Sequence, residues 1–267
     1  MSGSGDDGGA SPVSGPALIT GASAGIGRSL AGEFARHHYD VVLVARRAER
    51  LRDLADDLER PGVEATAVPM DLAADGAPAR LWDALDERGI DPGALVNNVG
   101  VGTHGRFAES DLDRERTQLR LNVELPVELT RRFLDGRDRG AVLNVGSVAG
   151  FTPGPYMAGY YASKAYVNSF SEALAAEHCD DDDVRVTVVC PGPVDTEFHD
   201  RAGVDHSSIG RWLSYDPDFV ARTAYDGLRR GETVVIPGRG MRALSALLRV
   251  VPRSLRRWGG RLVNGGR

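Results

Sequence analysis

Seven short apolar runs, separated by helix-length segments, constrain this chain more than any other feature. The runs fall at residues 17–20, 40–45, 65–69, 94–100, 141–145, 183–189 and 233–236. Between them, apolar residues recur at three- and four-residue intervals over 26–37, 47–60, 75–88, 111–133 and 160–178, the spacing of amphipathic helices. Strands joined through a helix run parallel, and a parallel sheet is buried on both faces, so its strands read as unbroken apolar runs. The expected fold is α/β, a mostly parallel sheet with helices on both faces. At 267 residues the chain fits one large domain and is short for two. That domain is expected at 17–238. A mobile 1–16, rich in Gly, Ser, Pro and Asp, precedes it, and a helical extension at 239–267 follows. One helical segment carries a conflict. Asn122 sits in the middle of 111–133, where an interior Asn competes with the helix backbone, and Pro126 breaks the pattern shortly after, so a kink or a polar task is expected there.

Directly after the first run comes Gly21-Ala22-Ser23-Ala24-Gly25-Ile26-Gly27. Gly21 permits a tight turn off the strand. Gly25 removes side-chain bulk where a diphosphate would approach, and Gly27 lets the next helix pack closely. The helix N-terminus then offers free N–H groups to an anion. The spacing is G-x-x-x-G-x-G, and a glycine cluster alone is weak; between a strand and an amphipathic helix it points to a dinucleotide site, with Ser23, Ala24 and Ile26 in the same turn. The second run ends at Ala45, followed by Arg46 and Arg47. An acidic residue there would bond the ribose hydroxyls of NAD and repel a 2′-phosphate, whereas arginine suits phosphate through its planar donor fork. NADP(H) is the expected cofactor. The plainer reading keeps Arg46 and Arg47 as the start of a solvated helix that also holds Glu49 and Asp53. Asp71, at the end of the third run, is placed to accept a hydrogen bond from an adenine amino group.

The segment after the fifth run opens Ser147 and leads into Tyr160-Tyr161-Ala162-Ser163-Lys164. Residues four apart share a helix face, so Tyr160 and Lys164 are neighbours while Tyr161 faces elsewhere. A phenol beside an ammonium has an electrostatic route to a lower pKa and can serve as a proton donor or acceptor. Tyr and Lys at this spacing also occur by chance. Lys164, however, is the only lysine against 31 arginines, so a retained lysine calls for an explanation.

Taken in order, Thr20 to Gly27, Asp71, Asn97-Asn98-Val99-Gly100, Asn122, Ser147, Tyr160 with Lys164, and Pro191-Gly192-Pro193-Val194-Asp195-Thr196 resemble the short-chain dehydrogenase/reductase family, over about 16–238. Val99 departs from the family's usual alanine, adding apolar bulk near the cofactor site. The resemblance implies a seven-stranded, Rossmann-type doubly wound sheet and a homodimer or homotetramer built through a four-helix contact. It implies hydride transfer between nicotinamide and a carbonyl or alcohol carbon. It also assigns roles: Ser147 would hold the substrate oxygen, and Tyr160 would donate the proton in reduction and take it in oxidation. Lys164 would lower the phenol's pKa and bond the nicotinamide ribose, and Asn122 would position a relay water. Asn98, Val99, Gly100, Pro191, Gly192, Val194 and Thr196 join the cofactor set, with Val194 near the carboxamide and Thr196 near the amide or diphosphate.

The substrate side is expected from Val148, 151–157, Pro193 and 198–215. Phe151, Tyr156, Phe198 and Trp212 suit a lipophilic carbonyl compound, or else close the core and a subunit surface. The alternative within enzymes is a 3-oxoacyl thioester reductase, which would favour a basic patch near the pocket. An oxidative, NAD-dependent alcohol dehydrogenase is disfavoured by the Ala45-Arg46 pair. A nonenzymatic dinucleotide-binding regulator or scaffold is disfavoured by intact Ser147, Tyr160 and Lys164.

Charge adds one more division. The net charge is −6, yet 239–267 carries eight arginines and no acidic residue, leaving −14 on the remainder (−6 minus 8). An acidic body argues against nucleic acid as partner. No basic-then-apolar leader and no bilayer-length apolar run is visible, so a cytoplasmic protein is expected. Cys179 and Cys190 form neither a metal cluster nor a disulfide framework, and no metal is expected. In the extension, Met241, Leu244, Leu247, Leu248 and Val251, then Leu255, Trp258 and Leu262 beyond Pro252, make apolar stripes among arginines. Two readings follow: packing on a neighbouring subunit or on the acidic body with its 180–183 cluster, or peripheral contact with an anionic membrane surface.

Overall fold

Every expected strand forms, within a residue or so at most ends. β1 spans Ala17–Thr20, β2 Val41–Ala45, β3 Ala65–Pro69, β4 Ala94–Asn97, β5 Gly140–Val145, β6 Val184–Val189 and β7 Val234–Val235. The computed structural model describes residues 14–179, 183–198, 202 and 214–265. Among these, the strands form one seven-stranded sheet, order β3-β2-β1-β4-β5-β6-β7, with every pairing parallel. The expected α/β, doubly wound, Rossmann-type architecture is the one observed.

The continuous apolar runs are explained by what covers the sheet. On one face Ile19, Leu43, Val96 and Leu143 pack with Leu30 and Phe34 of α1 (Gly25–Arg36), Leu51 of α2 (Ala48–Leu58) and Tyr225 of α7 (Pro217–Arg229). On the other, Leu18, Val42, Leu95 and Val142 meet Leu81 of α3 (Ala77–Asp86) and Leu129 and Phe133 of α5 (Leu125–Leu134). Neighbouring residues of one strand thus enter opposite cores, and neither can be polar without a partner.

β1 sits between β2 and β4, so the chain reverses its winding direction there. In an open parallel sheet the crevice at such a reversal, beyond the strands' carboxyl ends, is where ligands bind. The glycine turn after β1 and residues 98–100 after β4 both leave their strands into that crevice.

The expected conflict around Asn122 resolves as a π-helical turn, Arg120–Glu124, between α4 (Leu112–Leu119) and α5. The distortion is centred upstream of Pro126, which lies in the first turn of α5. Proline has no N–H to give to the carbonyl four residues back, here that of Asn122, so the ladder relaxes at that residue. The catalytic-side helix α6 runs Ala158–Glu177. The extension forms two helices, α8 (Arg239–Val250) and α9 (Arg253–Asn264), with Pro252 as the N-cap between them. No helix among the described residues is long and apolar enough to cross a membrane. Residues 1–13 of the N-terminal segment lie outside the described residues; Pro16 is already fixed, accepting from Gly93 N–H at 2.9 Å.

Candidate active site

The glycine turn is held from behind. Gly21 and Gly25 adopt φ of 70° and 55°, a left-handed region that costs glycine little. The Asn98 amide donates to Thr20 O (2.8 Å) and Gly21 O (3.3 Å), and Thr20 Oγ1 accepts from Asn98 N–H (3.0 Å). Asn98 therefore braces the turn from β4, and a side chain on Gly27 would collide with both the Gly21 carbonyl and the Asn98 amide. Val99 packs against Gly21, where an added Cβ would come within 3.0 Å of Val99 Cγ2. α1 starts at Gly25 behind Ala24, with no side-chain cap, so its first-turn N–H groups stay open to an anion. Thr196 borders the same spot: a Cβ on Gly25 would lie 2.9 Å from its methyl. A bare backbone cradle at an uncapped helix N-terminus, at the winding reversal, fits a dinucleotide diphosphate.

The two arginines after β2 differ. Arg46 is exposed, with no partner among the described residues. Arg47 is held: it donates to Ser23 Oγ (3.0 and 3.2 Å) and Ser23 O (3.3 Å), and pairs with Glu197 at 2.9 Å. Arg50 pairs with the other oxygen of Glu197 at 2.7 Å. Asp71 is exposed, accepting from Ala73 N–H at 3.0 Å. Val194 is buried and forms a parallel bridge with Tyr215. Pro191 O accepts from Val148 N–H (3.1 Å), and Met241 of α8 fills the space that a side chain on Gly192 would need.

Ser147, Tyr160, Lys164 and Asn122 converge beside this cradle. Ser147 lies two residues past β5 and caps a short 3-10 turn, its Oγ accepting from Ala149 N–H at 3.1 Å and donating to Pro191 O at 3.5 Å, near enough to the Tyr160 phenol to act on its pKa. Lys164 Nζ donates to Val145 O at 2.7 Å and lies 5.9 Å from the Tyr160 ring centre. Asn122, released by the π turn, makes a two-way pair with Val101, accepting from N–H and donating to O at 2.9 Å each, and donates to Ser163 Oγ at 2.9 Å. Gly100 makes room for both: a Cβ there would sit 3.4 Å from Asn122 Oδ1 and 3.5 Å from Lys164 Nζ. A small cavity of about 10 Å³, lined by Asn122, Lys164, Thr20 and Asn97 together with apolar Val99, Leu121, Leu125 and Val167, lies between them, about the size of a single water.

The electrostatics differ from the sequence expectation in one respect. Lys164 was expected to lower the phenol. Burial instead pushes Tyr160 up to about 12, with Tyr161 adding to the shift and the hydrogen bond to Ser147 opposing it. Burial also brings the Lys164 ammonium down to about 8. Desolvation outweighs charge pairing because Nζ is turned to the Val145 carbonyl rather than to the phenol oxygen.

Tyr161 does face elsewhere. Its ring lies over Gly154, and its hydroxyl donates to Asn264 Oδ1 of α9 at 3.2 Å. His104 Nε2 meets Asn264 O at 2.9 Å, and Arg256 donates to Phe151 O at 3.0 Å. The extension thus packs on its own chain, at the rim of the expected substrate region. Of the acidic cluster first considered for it, Asp183 pairs with Arg139 at 3.2 Å and 180–182 lie outside the described residues. Phe198 rests on Tyr160, ring centres 5.1 Å apart. Tyr156 holds a φ of 66°, uncommon for a residue with a side chain. Trp212 lies outside the described residues, as does most of 198–215.

Two residues in this arrangement carry no role in the sequence reading. Asn168, buried on α6, clamps the Ser147 peptide, donating to Ser147 O (2.9 Å) and accepting from its N–H (3.4 Å). Its signal was available: it continues the four-residue spacing of Tyr160 and Lys164. Glu197 gave no local signal, since its partners Arg47 and Arg50 lie about 150 residues earlier.

A glycine cradle thus lies at the winding reversal of a parallel α/β sheet, beside a Ser–Tyr–Lys group. Residues 16–206 match the sequence pattern of the short chain dehydrogenases, and the chain belongs to that family. It is 33% identical over 188 residues to 17-beta-hydroxysteroid dehydrogenase type 3 of Rattus norvegicus, covering 67% of this chain and 60% of that one. It is 35% identical over 171 residues to very-long-chain 3-oxoacyl-CoA reductase of Mycosarcoma maydis, covering 60% and 48%. The chain therefore spans about half to three-fifths of the length of these curated relatives. Among solved structures, a short-chain dehydrogenase from Sphingobium yanoikuyae in complex with NADPH is similar at a TM-score of 0.78 and 33% identity, over 95% of this chain and 97% of that one.

Proposed function

We propose that this chain is an NADP(H)-dependent carbonyl reductase for lipophilic ketones or aldehydes, able to run in reverse on secondary alcohols. The observation that carries the reading is the gathering of Ser147, Tyr160 and Lys164 beside the cradle, with Lys164 Nζ 5.9 Å from the Tyr160 ring and Phe198 against that ring. When bound, nicotinamide supplies or accepts the hydride. The chain's own groups manage oxygen and proton. Ser147 Oγ holds the carbonyl oxygen, its backbone fixed by Asn168. Tyr160, with its phenol pKa raised, keeps a proton at Oη throughout the neutral range and delivers it to that oxygen. Lys164 supplies positive charge close to the developing alkoxide, where preplaced donors act most strongly. Asn122 and the cavity beside it hold the water through which the phenol is reprotonated. Ser23, Ala24, Gly25, Ile26 and Gly27 line the diphosphate cradle; Thr196 closes it. Exposed Leu112, Leu119 and Tyr166 on α4 and α6 support a homo-oligomer.

The cofactor choice rests on Arg46. It is exposed at the end of β2 with no partner among the described residues, while Arg47 is already bound to Ser23 and Glu197, so Arg46 takes the 2′-phosphate and Arg47 assists. Losing one such contact costs about 1.5–3 kcal/mol, or roughly ten- to a hundredfold in binding. Arg46→Ala is expected to lower kcat/KM for NADPH by that factor and to leave NADH nearly unchanged. Wild-type enzyme that uses NADH as well as NADPH would overturn the assignment.

The 3-oxoacyl thioester reading gains one observation. Arg256 and the basic extension lie at the substrate rim, where the phosphates of an acyl carrier group would find them, and the relative from Mycosarcoma maydis is named for such a substrate. Rates with a panel of bulky ketones, aldehydes and 3-oxoacyl thioesters, each with NADPH and NADH, separate the readings. Turnover confined to thioesters favours the second, and no turnover of any carbonyl removes both.

A further inference from the structure

The helices α8 and α9 each have one face committed and one face open. Inward, Met241 fills the space above Gly192, Ser245 is buried, Arg256 holds Phe151 O, and Asn264 joins Tyr161 to His104. Outward, Leu244, Leu247 and Val250 of α8 are 46%, 57% and 78% exposed, and Leu255 and Trp258 of α9 are 58% and 65% exposed. These five lie within fifteen residues of sequence and are spaced by three residues along each helix, so each helix presents them on one side. Ala243 and Ala246 of the same helix are exposed as well. Exposed Arg239, Arg242, Arg257 and Arg261 flank the patch, and no acidic residue occurs in 239–267.

A lone exposed leucine needs no explanation, but a concentrated apolar patch bordered by one sign of charge marks an interaction surface. Three occupants compete. A second copy placed face to face would set two all-basic extensions against each other without a carboxylate from either, and like charges oppose that pairing. A groove for a partner helix would need flanking ridges, whereas here the side chains stand out from convex helix surfaces. A fluid acyl layer accepts separate projecting side chains, anionic headgroups meet the arginines, and a tryptophan beside them suits the interfacial depth.

We propose that the exposed faces of α8 and α9 seat this protein on an anionic lipid bilayer, inserting Leu244, Leu247, Val250, Leu255 and Trp258 and placing the arginines among the headgroups. The pocket rim then lies near the lipid surface, because Arg256 and Asn264 of α9 meet Phe151 and Tyr161 at that rim. Each arginine near an anionic surface is worth roughly fivefold in binding, and the attraction between exposed charges is screened by salt.

The experiment uses the full chain and needs no turnover, so its outcome is separate from that of the proposed reaction. Protein is sedimented with vesicles of phosphatidylcholine alone and with vesicles containing phosphatidylglycerol, at low and at high salt. The expected result is binding to the anionic vesicles about tenfold or more above the neutral ones, released by salt. It is expected to weaken about tenfold in Leu247→Ser/Trp258→Ser, and separately in Arg257→Gln/Arg261→Gln, with the melting temperature of each unchanged. Equal binding to both vesicle types, or no binding, overturns the proposal, as does undiminished binding by either folded variant. An oligomer lost in Leu247→Ser/Trp258→Ser, without vesicle binding by the wild type, would assign the face to protein instead.

Discussion

Tyr160→Phe is expected to lower kcat for carbonyl reduction by about 10²- to 10⁴-fold, the range for losing a positioned general acid, while NADPH still binds. The ring itself is structural. It packs on Phe198 with centres 5.1 Å apart and lies 5.9 Å from Lys164 Nζ, and phenylalanine keeps those contacts. What leaves is one oxygen and its proton. Ser147 retains Ala149 N–H as a partner, so the short turn it caps holds its shape. The pH dependence follows from the direction of the shift. With its pKa raised to about 12, the phenol is protonated at neutral pH, the form that reduction needs. Alcohol oxidation needs the opposite form, so its rate is expected to rise with pH through the alkaline range. Steady-state rates in both directions beside a fluorescence titration of NADPH check the two halves separately. A Tyr160→Phe enzyme with near wild-type kcat would move the acid to another group.

The strands were legible because burial on both faces leaves a strand no choice but continuous apolar residues, as in Val41–Ala45, every one buried. The glycine turn was legible for a related reason: Gly21 and Gly27 stand where a Cβ would strike Asn98 or the turn itself. Asn122 announced a disturbance by residue type, but not the π turn that accommodates it, since that depends on a proline four residues on. What stayed hidden was assembled across distance. Arg256 meets Phe151 across 105 positions, and Arg47 meets Glu197 across 150; neither pair leaves a periodic trace. The amphipathic pattern of 239–267 showed two helices and a charge, yet not that Met241 faces Gly192 while Leu244 and Leu247 face outward. The phenol's shift was misjudged on the same ground. Spacing places Lys164 near Tyr160, but only coordinates show its ammonium directed to Val145 O.

Lys164→Arg is expected to cost about 10²-fold or more in kcat/KM, although positive charge is kept. The chain uses arginine at 31 places and lysine at this one, and the site shows why the exchange fails. Lys164 is 5% exposed, its Nζ held to Val145 O at 2.7 Å, with Gly100 so close that an added Cβ would lie 3.5 Å away. A compact ammonium fits there; a planar guanidinium with five donors does not, and it would leave several of them buried without acceptors. The second difference is titration. Burial lowers Lys164 from 10.5 to about 8, so the cation is present below that pH and is lost above it. Wild-type reduction is therefore expected to decline as pH rises through about 8. Whatever activity Lys164→Arg retains should show no such decline, because arginine stays charged throughout. Thermal melting monitors the fold, and the pH profile distinguishes a lost charge from a misplaced one. An arginine variant with wild-type kcat/KM would show that any cation suffices; one that matches the wild-type decline would assign that decline to a different group.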